Sequence, residues 1–196
     1  KSNEDQFDLF GFSDESDEPT ANYSYYATLE NTTHFYQIIQ GDLPVKLLLQ
    51  NLLNQTSVCF DAETTGIDAL NAELVGMSFS FEKGKGFYVP FPENQKEAQT
   101  LIEKFRPFFE NSTIEKIGQN IKYDLKILSN YNIQVKGKLF DTMIAHYLIN
   151  PDMRHNMDVL SETYLKYAPK SIETLIGKKG KNQLSMRDVP LEDVKE

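Results

Sequence analysis

The sequence predicts an α/β domain: a mixed five-stranded sheet flanked by helices. Three observations carry that reading. Val75, Met77, Phe79 and Phe81 alternate with Gly76, Ser78 and Ser80, the period-two pattern of a half-buried strand. Ala98, Leu101, Ile102, Phe105, Phe108 and Phe109 recur at helical spacing. Strand-like and helix-like runs follow one another in the order βββαβαβα, with no internal repeat. At 196 residues, 40% hydrophobic and 12% aromatic, the chain is long enough for one domain with a substantial core.

Residues 1–20 hold seven acids against the single base Lys1, so most of the net charge of −9 lies there. They show no sustained period, and residues 1–30 are expected to be an acidic linker or extension, with the domain over 31–196. Phe7, Leu9, Phe10 and Phe12 within it could also serve as a docking motif. Ser57 to Asp61 is a short β-rich run, and Phe87 to Phe91 follows the turn Lys83-Gly84-Lys85-Gly86. With 75–81 these make three consecutive strands, expected to be antiparallel. The helix over 98–109 is expected to pack on them and to kink near Pro107. Next come a strand at Lys116 to Gly118, a helix over 119–129, a strand near Leu139 and Phe140, and helices around 142–149 and 157–166.

Twenty basic against 29 acidic side chains argue against a protein that coats nucleic acid by charge alone, so any such contact must be local. The single cysteine, Cys59, excludes an internal disulfide and a cysteine zinc cluster, and it reads as a small buried hydrophobe. No apolar run reaches the roughly 18 residues of a membrane span. The chain starts with Lys and has no signal-peptide pattern, which predicts a soluble protein of a reducing compartment, cut from something longer.

The most informative run is Phe60-Asp61-Ala62-Glu63-Thr64-Thr65-Gly66, at the end of the first predicted strand. Residues i and i+2 of a strand point to one side, so Asp61 and Glu63 can aim two carboxylates at one point. Such a pair calls for a hard divalent ion such as Mg²⁺ or Mn²⁺, although Asp-x-Glu also simply ends many strands. A second run, Gly118-Gln119-Asn120-Ile121-Lys122-Tyr123-Asp124, stands at a strand-to-helix junction. Asn120, Tyr123 and Asp124 share one helical face there, while Ile121, Leu125 and Leu128 share another that can face the core. The plainer alternative is that Asn120 caps the helix and Asp124 is a solvated acid.

The sequence resembles the DEDD 3′-to-5′ exonucleases, which have a ribonuclease H-like fold. Phe60 to Thr64 looks like their first motif and Asn120 to Asp124 like their second. The run Gly118 to Asp124, Phe140-Asp141-Thr142-Met143, Arg154-His155-Asn156-Met157-Asp158 and Gly180-Lys181-Asn182-Gln183-Leu184 resemble, in order and spacing, the proofreading domain of bacterial DNA polymerase I, a family A enzyme. The resemblance implies hydrolysis of 3′-terminal phosphodiester bonds in DNA by two metal ions, Mg²⁺ or Mn²⁺, about 4 Å apart. It implies that Asp61, Glu63 and Asp124 are the catalytic, metal-binding carboxylates. By the same analogy Thr64 meets the terminal 3′ hydroxyl and Ile67 wedges against the last bases. Gln119, Asn120, Tyr123 and Arg154 are implied to hold the single strand. Implied partners are a single-stranded 3′ end of DNA and the polymerase domain of the same parent chain, in the bacterial cytoplasm and away from membranes.

One departure stands out. The family's third motif, Tyr-x-x-x-Asp, is absent from the 196 residues, and Val189 stands four positions before Asp193. Weak or absent activity of this chain by itself is therefore expected. Two competing readings are a catalytically silent domain that orients the polymerase and an RNA 3′ exonuclease of the ribonuclease D type.

Other signals read as structural. Asp141 before Met143, Ile144, Tyr147 and Leu148 is a good helix N-cap. Gly177-Lys178-Lys179-Gly180-Lys181 lacks P-loop spacing and reads as a flexible basic loop able to touch phosphates, or as a solvated turn. His34, His146 and His155 share no metal spacing and are expected to pack or hydrogen-bond.

Overall fold

The structure, a computed structural model, describes residues 26–178 and 184–194. Within these the chain forms β1 (Phe35–Ile38), α1 (Asp42–Leu53), β2 (Ser57–Thr64), β3 (Leu74–Glu82), β4 (Lys85–Pro90) and α2 (Gln95–Phe109). There follow β5 (Glu115–Gly118), α3 (Ile121–Asn130), β6 (Leu139–Asp141), α4 (Thr142–Ile149) and α5 (Met157–Leu160), which runs on as a π-helical turn, Ser161–Leu165. Two short helices, α6 (Glu173–Ile176) and α7 (Leu191–Val194), bracket a 3₁₀ turn at Met186–Asp188.

The strands form one mixed sheet in the order β1-β4-β3-β2-β5-β6. β2, β3 and β4 pair antiparallel, as their short connections require, while β1–β4, β2–β5 and β5–β6 are parallel. The α/β class and the five strands anticipated from sequence are all present. The count of five is corrected to six, because β1 is a four-residue edge strand whose Phe-Tyr-Gln-Ile run is too short to carry a period. α1 also went unread: its Leu43 and Leu47 are exposed beside buried Val45, Leu48 and Leu52, so its apolar stripe is blurred.

One face of the sheet is closed by α2. Phe79 stacks on Phe105 at 5.3 Å between centroids and meets Phe108 edge-on at 5.8 Å, while Phe60 meets Phe109 at 5.3 Å. All five rings are at most 1% exposed, and burying each contributes about 1.5 to 3 kcal/mol. α2 begins at Asn94, whose side chain accepts from the backbone N–H of Lys96 and Glu97, and it continues through Pro107 to Phe109. Lys116 of β5 is fully buried on this face. Its ammonium donates to the carbonyls of Asn111 and Lys136 and lies 5.3 Å from the Phe108 ring centroid.

Cys59 is on the opposite face and exposed, which corrects the expectation that it is buried. The reason is strand parity: Val58 and Phe60 turn to the core, so Cys59 between them must turn away. Part of the expected N-terminal extension is held: Ala27 bridges to Tyr167, its N–H donating to the Lys166 carbonyl at 2.8 Å. Residues 1–25, and the 179–183 part of the predicted basic loop and of its Gly180 to Leu184 run, lie outside the described residues.

Candidate active site

Asp61 and Glu63 stand at the C-terminal end of β2, on the face away from α2. Across the ladder they pair with Ser78 and Gly76, so their neighbours on β3 are small and leave the carboxylates room. Pairing of β2 with β5 extends only from Ser57 to Cys59. Beyond it the backbone N–H of Ala62 is taken by Asp124, whose Oδ1 accepts it at 3.0 Å. That bond seats a 2%-exposed carboxylate of α3 against the strand that carries Asp61 and Glu63.

The three acids feel one another. Burial raises the Asp61 carboxyl above its ordinary value. Burial first, and then the charge of Asp61, push Glu63 up to about 7. Asp124 is likewise pushed up to about 7 by burial and the charges of Asp61 and Glu63, against the pull of backbone N–H groups. No described cation is among the groups that shift them.

Among the described residues, no three His, Cys, Asp or Glu side chains are grouped closely enough to hold a metal ion as they stand. Asp124 commits one oxygen to Ala62, and like charges without a counterion favour separation. The donor chemistry nonetheless fits a hard divalent cation: three carboxylates, with no thiolate or imidazole in the set.

Beside the carboxylates is a cleft of about 570 Å³ lined by Glu63, Thr64, Ile67, Asn120, Tyr123 and Met186 among others. Its wall is locked by one cluster. The Tyr123 hydroxyl donates to the Gly66 carbonyl at 2.5 Å and lies 2.6 Å from the Thr64 hydroxyl, which is 3.0 Å from the same carbonyl. Ile67, next in the chain, is 93% exposed at the rim. Thr64, Ile67, Asn120 and Tyr123 are thus brought together.

Gln119 and Arg154 are placed differently. Gln119 accepts from the Thr142 hydroxyl and donates to the His155 carbonyl at 2.6 Å, so its amide ties the segment carrying Arg154 to the β5–α3 junction. Arg154 itself is exposed and does not line the cleft. Asn120 adopts a left-handed conformation (φ 56°) and its side chain does not cap α3. Asp141 does so instead. Its Oδ1 accepts from Asn120, Met143 and Ile144, and its Oδ2 from Ile121, at 2.9 to 3.2 Å, so one carboxylate caps α3 and α4 together. The cap on α4 is the local half of that role and is the half legible in the sequence. His146 and His155 hydrogen-bond each other through Nδ1 at 2.7 Å, and His146 Nε2 lies 3.0 Å from the Tyr164 hydroxyl, in line with the structural role expected for them.

A family model described as 3′-5′ exonuclease matches residues 36–193. The chain belongs to that 3′-5′ exonuclease family. It is 34% identical over 182 residues to DNA polymerase I of Borreliella burgdorferi, covering 91% of this chain and 19% of that protein. It is 31% identical over 166 residues to DNA polymerase I of Pseudomonas aeruginosa, covering 80% of this chain and 18% of that one. The chain therefore spans about a fifth of the length of these relatives, and the likeness to the polymerase I exonuclease domain is borne out. Among solved structures, Escherichia coli RNase D superposes with a TM-score of 0.61 at 14% identity, over 81% of this chain and 39% of that one. Brucella melitensis NrnC with bound Mg²⁺ superposes at 0.53 and 22% identity, over 68% of this chain and 62% of that one. These two support the ribonuclease H-like fold. No helix among the described residues is long and apolar enough to cross a membrane.

Proposed function

We propose that this exonuclease domain is the proofreading part of a bacterial DNA polymerase I, working in the cytoplasm. It would remove nucleotides one at a time from a single-stranded 3′ end of DNA as nucleoside monophosphates. The observation that supports the proposal is that Asp124 of α3 is bonded to the β2 backbone between Asp61 and Glu63 and that the charges of these acids act on one another, with no described cation among the groups that shift them.

Asp61, Glu63 and Asp124 would hold divalent ions, Mg²⁺ or Mn²⁺. When bound, such ions supply an acidified water and charge neutralisation at the leaving 3′ oxygen. The remaining work falls to this chain's own groups. The Tyr123–Thr64–Gly66 cluster fixes the wall against which the terminal sugar would rest, and Thr64 would offer its hydroxyl to the 3′ end. Ile67 presents an exposed apolar side chain to the last base, a contact that needs no sequence preference. Asn120 lines the same cleft and can reach a phosphate oxygen. Gln119 holds the His155 carbonyl, next in the chain to Arg154, and the exposed Arg154 would offer its positive charge to the strand. A net charge of −9 suits an enzyme that grips a few nucleotides and releases them after each cut.

Replacing Asp61 by Ala in the polymerase is expected to lower excision of a 5′-labelled single strand by at least about a thousandfold, while polymerisation persists. Unchanged excision would reject the assignment. Equal digestion of RNA and DNA ends would shift it toward ribonuclease. Without a Tyr-x-x-x-Asp, the 196-residue chain alone is expected to excise slowly, and a rate equal to the polymerase's would refute that point.

A further inference from the structure

The β3–β4 ladder carries a tyrosine that the reading above leaves without work. Tyr88 of β4 is 4% exposed and pairs with Ser78, which pairs with Asp61, so all three side chains stand on one face of the sheet. Two residues along β3 is Gly76, the partner of Glu63. A Cβ on Gly76 would fall 2.0 Å from the Tyr88 hydroxyl oxygen and 2.2 Å from its Cζ. The phenol therefore lies across β3 through a notch that only glycine leaves, with its oxygen beside the residue facing Glu63. Directly opposed Cβ positions of an antiparallel pair are about 4.5 to 5.5 Å apart, which puts the hydroxyl within side-chain reach of the Glu63 carboxylate.

Among the described residues the hydroxyl makes no hydrogen bond, to Glu63 or to any other group, yet it is not a sealed, orphaned atom. Besides burial, the charges of Glu63 and Arg187 act on it, Glu63 disfavouring its ionisation and Arg187 favouring it. Its ring is buried and its oxygen is the end that stays accessible. A phenylalanine would pack the ring equally well, so packing by itself does not call for the hydroxyl. A glycine inside a strand is also unfavourable by roughly 0.5 to 1 kcal/mol relative to alanine. A hydroxyl that packing does not need and a glycine that a strand disfavours make sense together if they deliver a donor to Glu63.

We infer that Tyr88 is a positioning residue whose hydroxyl, unpaired in this structure, turns through the Gly76 notch to donate its hydrogen to the Glu63 carboxylate when that carboxylate binds a divalent ion, and so holds it in the binding orientation. The inference rests on Glu63 being a metal ligand, as proposed above. Groups that orient metal-binding side chains typically change affinity by about 10- to 100-fold when removed.

The test is a Mn²⁺ titration of the chain, followed by the paramagnetic resonance of free Mn²⁺, alongside thermal unfolding without metal. Tyr88→Phe is expected to weaken Mn²⁺ binding about tenfold, with its unfolding midpoint no lower than the parent's. Gly76→Ala, which keeps the hydroxyl and displaces the ring, should lose a similar factor. The double variant should bind no more weakly than the worse single one; independent, additive losses would overturn the inference. If Glu63→Gln weakens Mn²⁺ binding and Tyr88→Phe does not, the tyrosine has no positioning role and the proposed function survives. If Glu63→Gln binds Mn²⁺ like the parent, or the parent shows no saturable binding at millimolar Mn²⁺, the metal site fails and the inference with it.

Discussion

The two faces of the sheet divide the labour of the molecule. On the α2 side, Phe60, Phe79, Phe105, Phe108 and Phe109 form a closed aromatic layer in which even the charged side chain of Lys116 is fully enclosed. On the other side, Cys59, Asp61, Ser78 and Ser80 line an open depression of about 300 Å³, and the acids are destabilised by their surroundings. The same strands supply both faces through alternate residues, so one face can be optimised for cohesion while its reverse stores unfavourable charge. The lesson is that the site sits on a rigid support whose stability comes from elsewhere.

This contrast can be broken most forcefully from the closed side. Phe79→Ala removes the ring that contacts Phe105, Phe108 and Phe109, and is expected to cost about 3 to 5 kcal/mol in urea unfolding. A loss under 1 kcal/mol would mean that the layer is not the support. At the junction between the faces, Asp141→Ala strips acceptors from four backbone N–H groups on two helices. It is expected to cost about 2 to 3 kcal/mol and to reduce excision as well, because α3 carries Asp124. Retention of stability at the parent level would show that water replaces the caps.

On the open side the sign should reverse. An acid whose folded pKa is raised binds more protons folded than unfolded, so metal-free stability falls as pH rises from about 4.5 to 7. Glu63→Gln removes that penalty: a midpoint a few degrees higher at pH 7.5, without metal, is expected together with lost excision. A lower midpoint would contradict the stored charge. The smallest effect concerns Lys116, which burial lowers to about 8. Between about pH 8 and 10 the unfolded chain is the more protonated, so stability from this group rises with pH, and Lys116→Met should flatten that rise. An unchanged profile would show that the two carbonyls fully replace its hydration.

Much of this was legible in linear order. The alternation over 75–81 and the helical spacing over 98–109 survive intact in β3 and α2, because each covers the core with its own periodic residues. The pairing of Asp61 with Glu63 on one face follows from parity alone. The same parity puts Cys59, between core-facing Val58 and Phe60, on the open face, against the general tendency of a cysteine to be buried. β1 escaped because an edge strand of four residues needs β4 beside it to exist. The double cap at Asp141 escaped because Asn120 is 21 positions away. The Tyr88–Gly76 notch escaped because it is a relation between strands, and neither residue is unusual by itself.

Sequence alone determined which residues alternate, where the acids cluster and which family the motifs resemble, since those depend on local spacing. Tertiary structure decided that Asp124 reaches the Ala62 N–H, that Gln119 turns to the His155 carbonyl and that the Tyr88 phenol lies across Gly76. Each of these joins groups from separate elements, and their meeting is fixed by strand register and helix docking, which no single stretch of chain encodes.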